Sequence, residues 1–312
     1  MDELQVFQAI FSPDVLELLV TETNRYAEQY FVAHPKDSLP THSLARKWQP
    51  VDLSEMSAFI GVLYFMGYIK LPTYLSYWST EYLTEMKGFR SIMSRDRWHV
   101  IWQFFHVANN ETSVPRDHPN YDKIFKVRPL VETFINKWQG AYYPGQNLSV
   151  DESIIAYKGR ATMIQYNPQK PHKWGMKAWV LSESKTGYMY NWDLYRGATG
   201  RTETGLSKKV VLDIATPVYD QGHHLYMDNF FSSPDLFSTL AEKGIGACGT
   251  LRVNRIGVPL GIKNVQKKMK RGDPPVFVRD GNFLYIAWED KKPVNLITSL
   301  HNEETFERTR SE

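Results

Sequence analysis

Two aspartates occupy positions where strand propensity disfavours them, each directly after an apolar residue. Asp151 lies in "LSVDESIIAYKGR" (148–160) and Asp228 in "HHLYMDNFF" (223–231), 228 − 151 = 77 positions later. A carboxylate inside a strand is unfavourable, and an unpartnered buried one is costly. One such acid alone ordinarily faces water. Two of them in strongly apolar runs allow a second arrangement. If the strands are neighbours, the carboxylates can face each other across roughly 5 Å of sheet. Two bare carboxylates at that range repel unless one is protonated or a cation lies between them. A hard divalent cation such as Mg²⁺, held by one or two carboxylates plus waters and phosphate oxygens, fits that geometry. Sites of this kind activate water and stabilise the leaving oxygen in phosphodiester cleavage. Glu152 adjoins Asp151, so strand alternation turns it to the opposite face and away from such a site.

The basic residues are unevenly distributed. Lys158, Arg160, Lys170, Lys173 and Lys177 follow the first aspartate, and "KKMKR" (Lys267, Lys268, Met269, Lys270, Arg271) forms a compact cluster. Such groups read either as solvated faces or as nucleic-acid phosphate contacts, and the second cluster also as a weak nuclear-import signal. Arg252, Asn254 and Arg255 in "GTLRVNRIGVP" offer phosphate contacts or the tightening of a strand-to-loop turn. His223 and His224 lack a further clustered ligand and read as strand-edge residues. Cys248 is the single cysteine, which excludes an internal disulfide framework and a cysteine-based structural zinc site.

The elements that must position these groups differ along the chain. With 312 residues, 42% hydrophobic and 14% aromatic, the sequence has length for two domains and apolar content for packed cores. A net charge of +3 and a pI near 8.7 are mildly basic. No apolar run approaches the ~18 residues of a membrane span, and the acidic start "MDELQVFQAIF" lacks the basic region of a signal peptide. These features point to a reducing compartment, cytosol or nucleus. Up to about residue 145 the pattern is helical. "VDLSEMSAFIGVLYFMGYI" begins with Asp52 and Glu55 in capping-box spacing and sets Leu53, Met56, Ile60, Leu63 and Tyr64 near one face. "SRDRWHVIWQFFHV" does the same with Trp98, Ile101, Trp102 and Phe105, tryptophans read as core and not as base-stacking platforms. "KIFKVRPLVETFINKWQGAYYPG" (123–145) reads as a further helix interrupted near Pro129 and closed by Gly140. After Pro144-Gly145 the texture becomes β-β-β-α-β-α-β: "KAWVLSES" and "YMYNWDLYRG" form a hairpin around Lys185-Thr186-Gly187, and a Gly/Thr-rich loop (197–205) precedes a helix. That order gives a mixed sheet covered by helices.

Long motifs carry a resemblance. "NLSVDESIIAYKGR", "YMDNFFSSPDLFSTLAEKGIGACGTLRVNRIGVP" and "AWEDKKPVNLITSLHN" resemble, in that order, the piggyBac family of DNA transposases and the genes derived from them. The resemblance runs over roughly residues 10–305. It implies an α/β fold: an RNase H-like mixed-sheet catalytic core preceded by an all-helical domain. The corresponding expectation is a helical dimerisation and DNA-binding region over 1–145, the core with the first two catalytic-acid strands over 146–255, and an insertion-like segment over 256–312. The resemblance further implies cleavage and joining of transposon ends at TTAA targets in double-stranded DNA. It implies nuclear localisation, a homodimer, and Mg²⁺ or Mn²⁺ without zinc. Asp151 and Asp228 take the family's first two catalytic, metal-holding positions. Lys158, Arg160, Lys173, Arg252, Arg255, Lys267, Lys268, Lys270 and Arg271 are the candidate DNA contacts.

One departure qualifies this expectation. The family's next acid follows in a GGVD-like motif, and no such run occurs within residues 1–312. Asp280, Glu289 and Asp290 belong to the segment before it. The expectation is therefore a metal site incomplete within this chain and no strand cleavage by the chain alone. The alternative is a domesticated or truncated derivative that binds DNA or protein without catalysis, and a purely structural interaction domain is a third class.

Overall fold

The computed structural model describes residues 2–168, 170–197 and 205–304. Residues 198–204 of the expected Gly/Thr-rich loop lie outside the described residues. The chain divides after Lys137 into two compact units, each with its own buried cluster.

The first unit contains α1 (Glu3–Ile10), α2 (Pro13–Ala33), α3 (Leu53–Tyr68), α4 (Lys87–Ile92), α5 (Arg95–Phe104) and most of α6 (Arg128–Ala141), with short 3₁₀ turns between them. Asp52 caps α3 by accepting from the Glu55 amide at 2.8 Å. The Glu55 carboxylate turns instead to Arg97 of α5, so this capping-box spacing yields one half of a box. The buried face of α3 is Met56, Phe59, Ile60 and Val62, while Leu53 and Tyr64 are exposed, contrary to expectation. The helix is apolar on nearly every side, so periodicity does not choose a face and packing does. In α5, Trp98, Ile101 and Phe104 enter the core; Trp102 is half exposed and stacks on Trp98 with ring centroids 5.5 Å apart. Pro129 sits in the first turn of α6, where its missing N–H costs no helical bond, so it starts the helix and does not interrupt it. Gly140 lies within the last turn. Among the described residues no single helix is long and apolar enough to cross a membrane. The bent pair α1–α2 passes by length and composition, but α2 buries Val15, Leu19 and Ala27.

The second unit carries β1 (Asn147–Ala156), β2 (Ile164–Tyr166), β3 (Trp174–Glu183), β4 (Met189–Leu194), α7 (Leu206–Ala215), β5 (His224–Met227), α8 (Pro234–Glu242), β6 (Gly246–Thr250), α9 (Leu260–Gln266), β7 (Val276–Asp280), β8 (Phe283–Glu289) and β9 (Pro293–Thr298). They form a single mixed sheet in the order β2-β3-β1-β5-β6-β9-β8-β7, with β4 paired to β3. β1, β5 and β6 are parallel, and β3–β4 is the expected antiparallel hairpin. β6 pairs antiparallel with β9, which carries the β7–β9 meander onto the same sheet. The expected element order is present with three additions: β2, too short for a periodic signal, the short helix α9, and the meander at 276–298. Leu148, Val150, Leu225, Met227 and Ala247 of the parallel strands cluster with Val211 and Ile214 of α7 and Leu236, Phe237 and Leu240 of α8. Ser233 caps α8 through the Leu236 amide, and Pro234 occupies its first turn.

Candidate functional site

The parallel pairing of β1 with β5 runs Leu148 to Leu225 and ends with Val150 opposite Met227. Asp151 is the next residue on β1, and Asp228 is the residue that follows β5. The register therefore sets the two aspartates side by side where β5 stops, a position where open α/β sheets offer ligands a crevice. Asp228 falls one residue beyond its strand and not within it, and β5 is the fifth strand because β2 intervenes. Both carboxylates are exposed.

Each carboxylate has one oxygen already engaged. Asp151 Oδ1 accepts from the Glu152 amide at 2.7 Å, and Asp228 Oδ1 accepts from the Phe230 amide at 2.9 Å. Their second oxygens accept no hydrogen bond among the described residues. Two outward carboxylates with open lone pairs at adjacent register positions suit a hard divalent cation as part of a larger oxygen set. No group of three His, Cys, Asp or Glu side chains disposed to hold a metal occurs among the described residues. Glu152 is half buried, lies opposite Trp179 and pairs with Lys170 at 3.8 Å, as alternation requires.

The turn that begins at Asp228 is held from several sides. Its carbonyl accepts from the Ser232 amide at 3.1 Å and from Ser232 Oγ at 2.9 Å. Arg255 Nη2 donates to the Phe230 carbonyl at 2.6 Å and the Asn229 carbonyl at 3.3 Å, and Arg252 Nε donates to Asn229 Oδ1 at 2.9 Å. Both arginines thus tighten the turn. Gly249 of β6 permits this packing: a Cβ there would lie 2.3 Å from Ser232 Oγ and 2.5 Å from the Met227 carbonyl oxygen.

On the sheet face that carries Glu152, Lys177 and Trp179 alternate along β3. Trp179 stacks on Phe230 with centroids 5.7 Å apart and planes 15° from parallel, and Phe231 packs edge-on against both. Lys177 Nζ lies 4.0 Å from the Trp179 ring centroid and 5.2 Å from that of Phe230. Burial lowers the Lys177 pKa, and the Glu152, Asp228 and Asp151 carboxylates pull against that shift. Sequence reasoning counted Lys177 only as part of a charge cluster and passed over Trp179 and Phe230. The available signal was the Lys-x-Trp alternation on β3.

The other candidates separate into groups. Lys158 and Lys173 line one cleft of about 530 Å³ with Tyr157, His172 and Trp174. Arg160 is exposed in the segment between β1 and β2. Arg252 and Arg255 line a second basin with Ser207, Lys208, Ser233 and Asn254. Lys267, Lys268, Lys270 and Arg271 are exposed just after α9, with Arg271 3.7 Å from Asp290. His223 and His224 are not at a sheet edge, because β5 is internal: His223 is buried with Nδ1 against the Gly145 carbonyl at 3.1 Å. Burial, then His301 and His223, lower the His224 pKa.

Residues 2–312 match the family model described as Transposase IS4, and the chain belongs to this family, on its piggyBac branch. It is 27% identical over 303 residues to the human piggyBac transposable element-derived protein 3, covering 95% of this chain and 47% of the relative. It is likewise 27% identical to the human piggyBac transposable element-derived protein 2, covering 94% and 48% respectively. The structure superposes on a cryo-electron microscopy structure of a piggyBac transposase synaptic complex with hairpin DNA. The TM-score is 0.80 and the identity 25%, over 98% of this chain and 62% of that one. The chain spans about half the length of these curated relatives.

Proposed function

We propose that this chain is the DNA-engaging portion of a piggyBac transposase-derived protein, with an RNase H-like sheet on which Asp151 and Asp228 are the metal-holding acids. The observation that carries the reading is the β1–β5 register, which makes the two aspartates neighbours. The family and the similarity to a DNA-bound transposase support it. A divalent cation there, Mg²⁺ or Mn²⁺, would supply a more acidic bound water and neutralise charge on a leaving oxygen. The two aspartates would ligate it, and the Phe230 amide would hold Asp228 in orientation. Lys158, Arg160 and Lys173, and separately Lys267, Lys268, Lys270 and Arg271, would engage phosphates of double-stranded DNA in the nucleus, the protein acting as a homodimer. TTAA-flanked transposon ends are the proposed substrate.

Because only two carboxylates meet among the described residues, the 312-residue chain is expected to bind DNA without cutting it. The test combines Mn²⁺ titration followed by electron paramagnetic resonance with a nicking assay on TTAA-flanked ends in Mg²⁺. Mn²⁺ binding that Asp151→Asn and Asp228→Asn each abolish supports the metal site. Nicking by the isolated chain that Asp228→Asn removes would overturn the non-cleaving part of the proposal.

A further inference from the structure

Among the described residues the Asp228 carboxylate accepts from a single amide, that of Phe230, and the ring of the same Phe230 stacks on Trp179 beneath the Lys177 ammonium. Lys177 has no ion-pair partner within 4 Å among the described residues; its ammonium rests on two aromatic faces, half buried. A partly desolvated cation over stacked rings is attracted to both and holds them in register. Loss of that cap frees the Phe230 ring to leave Trp179, and the amide that aims Asp228 Oδ1 moves with it.

We infer that Lys177 is a positioning residue for Asp228, acting through the Lys177–Trp179–Phe230 stack and not by contact with the metal. The inference rests on the reading of Asp151 and Asp228 as a metal site. It makes a claim opposite in sign to simple electrostatics. An ammonium near two carboxylates repels an incoming dication, so deleting its charge alone should tighten metal binding. If the ammonium instead holds the ligand turn, deleting it weakens binding.

The experiment measures Mn²⁺ binding to the full 312-residue chain by electron paramagnetic resonance, with near-ultraviolet circular dichroism to check the fold. Lys177→Met should lower Mn²⁺ affinity on the order of tenfold, the lower end for an outer-sphere partner. Lys177→Arg, which keeps the cation over the rings, should restore most of it. Phe230→Leu, which keeps the amide and loses the ring, should match Lys177→Met, and the double variant should be no weaker than either single one. Unchanged or tighter binding in Lys177→Met overturns the inference. If Lys177→Met does not fold, Phe230→Leu carries the same test, and wild-type affinity in it overturns the inference. If Asp228→Asn binds Mn²⁺ as well as the unsubstituted chain, the metal-site reading itself fails. If Asp228→Asn loses binding while Lys177→Met does not, only the role of Lys177 fails.

Discussion

Arg255 reaches back across the sheet end to donate from Nη2 to the Phe230 carbonyl at 2.6 Å. One residue in the β6–α9 connection thereby fixes the turn that follows β5. Its Nη2 spans two carbonyls, and its Nε is buried without a partner among the described residues, so its position is set by these bonds and not by a carboxylate. Hydrogen bonds from a charged donor contribute about 1.5–3 kcal/mol each. Arg255→Ala is expected to lower unfolding stability by about 2 kcal/mol, read as a fall in the urea midpoint with an unchanged slope. Arg255→Lys should recover only part, because the lysine side chain ends one atom short of the Nη2 that reaches both carbonyls. A midpoint unchanged in Arg255→Ala would show that the turn holds itself.

Gly249 offers a complementary test from the opposite side of the same turn. A methyl there meets Ser232 Oγ, which can rotate away, and the Met227 carbonyl, which cannot. Overpacking of this kind costs about 1–3 kcal/mol. Gly249→Ala should therefore lower the melting temperature, and adding Ser232→Ala should recover only a fraction, since the backbone clash remains. Full recovery in the double variant would place the whole effect on the serine.

Much of this architecture was legible in the residues. The β3–β4 hairpin follows from alternation around Lys185-Thr186-Gly187, and the mixed sheet from the order of strands and helices, both of which are patterns along the chain. The pairing of Asp151 with Asp228 was legible only as a condition, because adjacency of β1 and β5 depends on a register set over 77 positions. The core face of α3 was not legible, because a helix apolar on nearly every side leaves the choice to its neighbours. The stack of Lys177, Trp179 and Phe230 was legible only in its Lys-x-Trp half on β3, because Phe230 comes from the turn after β5 and meets them only once the sheet forms. Arg252 and Arg255 read as phosphate contacts or turn supports, and their partners in the fold are the Asn229 side chain and the Asn229 and Phe230 carbonyls.

Glu183 gives a pH signature for the β3–β4 hairpin. Its Oε2 accepts from the Thr186 hydroxyl and from the Thr186 amide at 2.7 Å, and these bonds, the hydroxyl foremost, hold its pKa below the ordinary 4.5. A carboxyl lowered on folding contributes stability that is present above its unfolded value and lost as pH falls through the lower folded value. Stability should thus decline as pH drops below about 4.5, the unfolded value. Thr186→Val removes the hydroxyl donor and keeps the shape. The variant should show a shallower decline over that acid range and a smaller difference from the parent at pH 3 than at pH 7. Parallel curves for the two proteins would show that the hydroxyl does not bear on the titration.

The cleft shared by Lys158 and Lys173 separates phosphate binding from a merely solvated basic face. Tyr157 and Trp174 line the same cleft, so a strand laid across it would meet cations and aromatic faces together. If both lysines neutralise phosphates of duplex DNA, each displaces a counterion, and the slope of log K against log salt concentration falls by about 0.9 for each one removed. Lys158→Ala with Lys173→Ala should lower the slope by about 2 and weaken binding uniformly across DNA sequences. Lys267→Ala with Lys268→Ala provides an independent pair after α9, where the same loss would mark a second phosphate track. Fluorescence anisotropy between roughly 50 and 200 mM salt measures both. A salt slope left unchanged by the first pair would assign Lys158 and Lys173 to a hydrated surface and move the DNA path elsewhere on the chain.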